Sequence, residues 1–449
     1  MRYKKTKLSG WGNYPIVETK LYRPEKISNL SAILNEESLI ARGLGRSYGD
    51  TSLNEVGATI LMTQLNRFVG FDDRSGILHA EAGVSFDDIL KTFVPRGWFP
   101  PVTPGTKFVT LGGAIASDVH GKNHHVDGAL SSHVQEIELM IASGEVLRCS
   151  QNKNPEIFWA TLGGNGLTGL ILSVKIKMKA IETSYIKQYR VKAPCFEDAL
   201  DVFEQYDHEY PYSVAWIDCL SGGKNLGRSI VTFGRHALKE GLMGKQNKLP
   251  LKIHETSKFS IPIYFPNFTL NSLSIRMFNE VYYRRLLSPE KHFISDYNAF
   301  FYPLDVVNHW NRIYGKAGFL QWQCVLPIKG GKESMRKLLQ LIQTHRKGSF
   351  LAVLKKMADQ KGLLHFPREG YTLALDFKYD KSIHKLIKTL NSLVVEHKGR
   401  IYLTKDAVLD YEAFKSMYPH ADEWKRVKKD IDPNNRFSSD QARRLQLLN

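Results

Sequence analysis

Glycine, set among short β-rich runs, constrains this chain most. Three glycine-rich segments recur between residues 41 and 169: ARGLGRSYGD at 41–50, PGTKFVTLGGAIASDVHGKNHH at 104–125 and GGNGLTG at 163–169. Glycine at such positions permits left-handed backbone and close approach of the main chain to a ligand or a neighbouring strand. The last segment contains G-x-G-x-x-G, a dinucleotide fingerprint only where a strand precedes the loop and a helix follows it. Here the order is reversed. NPEIFWATL before it reads as a helix. LILSVKIKM after it reads as a half-buried strand, with Lys175 and Lys177 on one face and Val174, Ile176 and Met178 on the other. The pattern argues against a Rossmann nicotinamide site.

The rest of the first 182 residues has the same α+β texture. Strands are expected at 58–62, 76–80 and 171–178, and a helix at 86–93 capped by Ser85, with Asp87 and Asp88 in its positive first turn. From about 183 to 400 a second α+β domain is expected. It has strand-like runs at 213–217, 320–326 and 372–377 and amphipathic helices at 332–344 and 382–396. A looser segment at 237–273 mixes Lys239, Lys245, Lys248, Lys252 and Lys258 with the apolar run IPIYFP. The last fifty residues read as a strand at 400–404 followed by polar helices.

A chain of 449 residues has room for two or three domains. Its four cysteines, Cys149, Cys195, Cys219 and Cys324, form no C-x-x-C pair, which argues against a disulfide scaffold and a cysteine zinc site and fits a reducing compartment. The net charge of +17 suits nucleic acid, an anionic membrane or a phosphorylated substrate. No helix-turn-helix, zinc-finger or RNA-recognition signature is present, so nucleic acid is not the expected partner. The basic start MRYKKTKLSGWGNYP lacks an apolar core, and no run of about 18 apolar residues occurs. The expected location is cytoplasmic, free or peripheral at the inner membrane face.

ARGLGRSYGD reads either as a phosphate cradle, with glycine amides and two arginines facing an anion, or as a tight turn with two exposed arginines. In the second segment, glycines alternate with Ala114, Ala116 and Ser117, a composition that wraps a large flat ligand better than it packs a core. His120 and His124 stand four apart, but Gly121 and Asn123 disfavour the helix that would align them. No acidic or cysteine partners complete a set, so no metal is expected.

These segments resemble those of vanillyl-alcohol-oxidase-type flavoproteins. The likeness is closer to the decaprenylphosphoryl-β-D-ribose 2′-oxidase family. It is carried by LSGWGNYP, GGAIASDVHGKNHH, FWATLGGNGLTG, SVAWID, GFLQWQ, YLTKD and SSDQARRLQLL, and runs from about residue 7 to 448. The resemblance implies an α+β fold. A two-subdomain PCMH-type FAD-binding domain would be formed by 1–182 and 400–449, around a substrate domain at 183–399 with an antiparallel sheet. It implies oxidation of the ribose 2′-hydroxyl of a polyprenylphosphoryl-ribose lipid to a ketone. A short-chain dehydrogenase/reductase partner would complete epimerisation to arabinose, and a quinone-type acceptor would reoxidise the flavin. A free alditol or aldonolactone is the alternative substrate on the same fold.

By the same resemblance, Ala41, Arg42, Gly43, Leu44, Gly45, Arg46, Ser47, Tyr48, Gly49, Asp50 and Thr51 hold the FAD pyrophosphate. Gly105, Thr110, Leu111, Gly112, Gly113, Ser117, Asp118, Val119 and His120 complete the cofactor bed, with Ile171 on the adenine side and Tyr402 returning from the C-terminal segment. Ser47 stands where many relatives carry the histidine that tethers FAD, so FAD is expected to be non-covalent. Lys405 matches the essential lysine beside the flavin. By itself, a lysine in LTKD reads as an ordinary surface residue. His120, Lys122, Trp216, Phe301, Arg312, Gln321, Gln323, Lys355 and Thr372 match substrate-pocket positions. Gln321 and Gln323 share one strand face and suit sugar hydroxyls, while Lys355 or Arg312 suits the lipid phosphate. Three positions depart from the family pattern: Ala374 replaces a cysteine, Thr372 an asparagine and Phe301 a tyrosine.

Overall fold

Apolar–polar alternation after GGNGLTG produces the strand Leu170–Lys177, which pairs antiparallel with Ile77–Glu81 on one side and Val134–Met140 on the other. Phe68–Asp72 and Val146–Cys149 complete a five-stranded antiparallel sheet. The computed structural model from which this follows describes residues 2–254, 259–266, 268–349 and 351–448; Lys258 lies outside them. Helix Phe86–Phe93 begins at Ser85, whose hydroxyl accepts the Asp88 amide while Asp88 returns a bond to the Ser85 amide. This capping box contributes about 1 kcal/mol. Phe86, Ile89 and Phe93 share a core with Leu111, Ile115, Leu78, Ile137 and Val174. A second sheet has the spatial order Lys4–Ser9, Ile16–Tyr22, Ala58–Leu61, Leu39–Arg42, with its first pair antiparallel and the others parallel.

The middle of the chain forms an eight-stranded antiparallel sheet. Its order is Glu290–Asp296, Tyr185–Ala193, Ser229–His236, Tyr212–Ile217, Ala352–Met357, Gly370–Lys378, Phe319–Pro327, Arg400–Ile401. Helices Phe196–Tyr206, Gly331–Thr344 and Ile383–Glu396 cover one face, burying Leu200, Leu338 and Ile387 against Phe233, Trp322, Leu354 and Leu373. Residues one step away along those strands point to the other face. Two cross-strand rows result there: Gln323, Ala374, Val353 and Val325, Thr372, Lys355. That face mixes Gln323, Thr372 and Lys355 with Ala374, Val353 and Val325, and it is where the cavity lies.

The strand expected at 400–404 is shorter. Arg400–Ile401 pairs with Cys324 and Val325 at the sheet edge, and the chain then turns over Leu403–Lys405. Asp406 forces the turn by accepting the amides of Val408 and Leu409. Beyond it the chain returns to the second sheet, where the Leu39 amide donates to Arg436 O at 2.8 Å.

Candidate active site

A cavity of about 310 Å³ lies between the large sheet, on the face that carries Gln323 and Lys355, and the glycine segments of the first two. Its cradle end is built by the loop after strand Leu39–Arg42. A side chain at Gly43 would meet Thr110 Oγ1 at 2.2 Å, and Gly45 has φ +65, so both positions require glycine. Arg42 donates to Ser9 O (2.5 Å) and Ser52 Oγ (3.2 Å) and is therefore not an exposed turn arginine. Burial lowers its pKa to about 10. Arg46 stacks on Trp11, 3.8 Å from the ring centre. The Arg46 Nε and Thr51 Oγ1 atoms are buried without protein partners.

The opposite end holds a crowd of basic groups. His120 Nε2 accepts from Gln323 Nε2 (2.9 Å), which also donates to Thr372 Oγ1 (3.0 Å). The ring proton of His120 therefore falls on Nδ1, which is buried without a protein partner. Burial, with the positive charge of Lys355, holds this histidine far below its ordinary pKa. Lys355 Nζ donates to Gly121 O at 3.4 Å, and burial lowers it to about 8. Lys405 Nζ sits 4.0 Å from the centre of the Tyr48 ring. Burial and the Lys355 charge lower it to about 7, against the opposing pull of Asp376.

Along its length this chain is similar to known flavoenzymes. Residues 21–150 match the FAD binding domain family and residues 325–445 the D-arabinono-1,4-lactone oxidase family. The chain is 39% identical to decaprenylphosphoryl-beta-D-ribose oxidase of Mycolicibacterium smegmatis, over 98% of each chain. This chain belongs to the decaprenylphosphoryl-β-D-ribose oxidase family. More distantly, it is 28% identical to L-gulonolactone oxidase of Mus musculus over 41% of this chain and 43% of that one. It is 31% identical to cytokinin dehydrogenase 2 of Arabidopsis thaliana over 30% and 27%.

Like its family, the chain is an FAD-dependent oxidoreductase. The cavity fits that cofactor: unpartnered donors at Arg46 and Thr51 in the cradle and at His120 opposite face a glycine-lined space. Ala41, Leu44, Ser47, Tyr48, Gly105, Gly112, Gly113, Ser117, Val119, Ile171 and Tyr402 line it as well. Four expected contacts do not. Gly49 is pressed against Asp406, whose carbonyl oxygen a side chain there would meet at 1.8 Å. Asp50 is tied to Arg444 (2.7 Å), Leu111 is in the core, and Asp118 accepts the Ser131 amide and hydroxyl. These residues hold the cradle's shape.

Of the expected substrate residues, His120, Gln321, Gln323 and Lys355 line the cavity and Thr372 touches Gln323 behind it. The others lie elsewhere. Lys122 donates to Phe301 O (3.2 Å), and Phe301 packs in an aromatic cluster with Phe99 and Tyr212. Trp216 leans on Tyr282, and Arg312 donates to the carbonyls of Ile261 and Pro262. Sequence reasoning missed Asp376. It is buried directly opposite Gln321, accepting from Gln321 Nε2 (2.6 Å) and Tyr314 OH (3.3 Å), and burial raises it to about 7. The alternation Thr372, Ala374, Asp376 was the available signal. Among the described residues, no three His, Cys, Asp or Glu side chains gather as a metal set.

Proposed function

We propose that this chain oxidises the ribose 2′-hydroxyl of a polyprenylphosphoryl-β-D-ribose to the ketone. A short-chain dehydrogenase/reductase then reduces the ketone to the arabinose epimer. The observation that carries this reading is the basic end of the cavity. The Lys405 and Lys355 amines, both lowered from their ordinary range, stand beside His120 and two glutamines in a chain matched end to end by a relative named for that substrate.

Bound FAD supplies the acceptor for the hydride leaving the carbinol carbon. The protein moves the proton. Neutral Lys405 takes it from the 2′-hydroxyl, which general-base catalysis makes worth about 10²–10⁴ in rate. Gln321 and Gln323 orient the sugar hydroxyls, and the Lys355 cation stands for the phosphate. Ser47 cannot form the bond that tethers FAD through histidine, so acid precipitation should release free flavin. A quinone-type acceptor at the membrane that carries the lipid completes the reading.

The test is the visible spectrum of the anaerobic protein before and after a short polyprenylphosphoryl-ribose. Bleaching of the flavin bands supports the proposal. Bands that persist with that lipid but bleach with a free aldonolactone favour the second reading, for which the lactone-oxidase match over 325–445 speaks.

A further inference from the structure

Helix Ser272–Arg284 packs on the large sheet by one side only. Ile275 and Asn279 are buried, with Asn279 Nδ2 on Asp218 Oδ1 at 2.7 Å. The opposite side repeats every four residues: Leu273, Met277 and Val281 are 69, 63 and 70% exposed. Phe268 before the helix and Leu287 after it are 78 and 95% exposed. An apolar row of this size on a surface helix calls for an occupant.

Charge identifies it. Arg276, Arg284 and Arg285 flank the row, against a single acid, Glu280, that is already paired with Arg228 and Arg284. Residues 237–291 carry nine Lys or Arg against four Asp or Glu. An apolar helix face rimmed by arginines fits an anionic bilayer: the apolar side chains enter the acyl boundary and the guanidiniums reach the headgroups. Position adds to this. Leu270, two residues before the helix, packs on the cluster of Trp310 and Tyr48, both of which line the cavity. The chain entering the proposed docking helix thus packs against the cavity wall.

We propose that the exposed face of helix Ser272–Arg284, with Phe268 and Leu287, docks this enzyme on an anionic phospholipid bilayer. The proposal deepens the reading of a lipid substrate, but it is tested on vesicles with no substrate present, so either can fail alone.

The experiment is co-sedimentation of the full-length, FAD-loaded protein with vesicles of phosphatidylcholine alone or with 30% phosphatidylglycerol, a standard composition giving roughly a physiological anionic surface. The protein is expected to pellet with anionic vesicles and to be released by high salt. The Leu273→Ser/Met277→Ser/Val281→Ser variant should lose about tenfold or more of this partition while keeping its flavin absorbance. Wild-type protein that stays in the supernatant overturns the proposal, as does a triple variant that still pellets. If the triple variant loses its flavin, M277D alone carries the same test. If substitution on this face changes only the oligomeric state in gel filtration, the face pairs with a second copy and the proposal is wrong.

Discussion

Two lysines with opposite surroundings separate a part of this molecule that holds from the part proposed to react. Lys428, in helix Ala421–Ile431, is fully buried and satisfied: its amine donates to Asp432 Oδ2 (2.7 Å), Leu167 O (2.9 Å) and Phe437 O (3.0 Å). Three donors meet three acceptors. The bonds tie the C-terminal helix to the GGNGLTG loop and to the strand-like return at Phe437. Lys405 is also desolvated, yet among the described residues its amine makes no hydrogen bond; it faces the cavity over the Tyr48 ring. Its place at the cavity, with its amine lowered toward neutrality, is what the proposed role as base requires.

Removing the amine at each site should break this comparison in opposite directions. Lys405→Ala should retain FAD but reduce it with substrate about 10²–10⁴-fold more slowly, read as single-turnover bleaching without oxygen. Reduction at the normal rate would remove Lys405 from the mechanism. Lys405→Met should not lower the thermal midpoint, because no hydrogen bond is lost. Lys428→Met, by contrast, should cost about 3–5 kcal/mol, since it strands the buried Asp432 carboxylate. Its signature is earlier thermal release of flavin, with the per-flavin reduction rate unchanged. A slowed chemical step in that variant would show that the two lysines are not separate in role.

The cradle was more legible in the sequence than the reactive end. The cradle is local: residues 41–51 fold back on themselves around Gly43 and Gly45, and glycine spacing alone suggests close approach to an anion. The strands and helices were legible for the same reason. Ser85 with Asp88 and the alternation at 170–177 act within a few residues, so the pattern reports them directly. The proposed reactive end joins Gln321, Gln323, Lys355, Ala374 and Asp376, aligned by cross-strand register, to His120 and residues 402–405, which arrive on segments distant in sequence. Local pattern does not encode that register. Arg312 and Trp216 illustrate the limit. Each has a residue type suited to a sugar–phosphate pocket, yet one holds the carbonyls of Ile261 and Pro262 and the other leans on Tyr282. Asp376 fails the other way: an aspartate in LALDFKYD looks like a strand-end residue until the register sets it against Gln321.

The smallest expected effect tests how finely the reactive lysine is set. With its pKa lowered to about 7, Lys405 is protonated below neutrality and free above it, so the rate of flavin reduction should rise with pH through about 7 and level off. The groups that act on it are Lys355, which favours the neutral amine, and Asp376, which favours the charged one. Asp376 itself is held by Gln321 and Tyr314 and raised by burial. Replacing it with asparagine preserves shape and a donor–acceptor pair but removes the negative charge. Asp376→Asn should therefore move the acid limb of the profile to lower pH. A shift of about one unit would leave the variant nearly as fast as wild type at pH 8 and relatively faster at pH 6. A purely structural role for Asp376 would instead lower FAD content or stability and leave the limb where it was. A loss of rate at every pH, with the acid limb gone, would mean that the carboxylate, not the amine, receives the substrate proton.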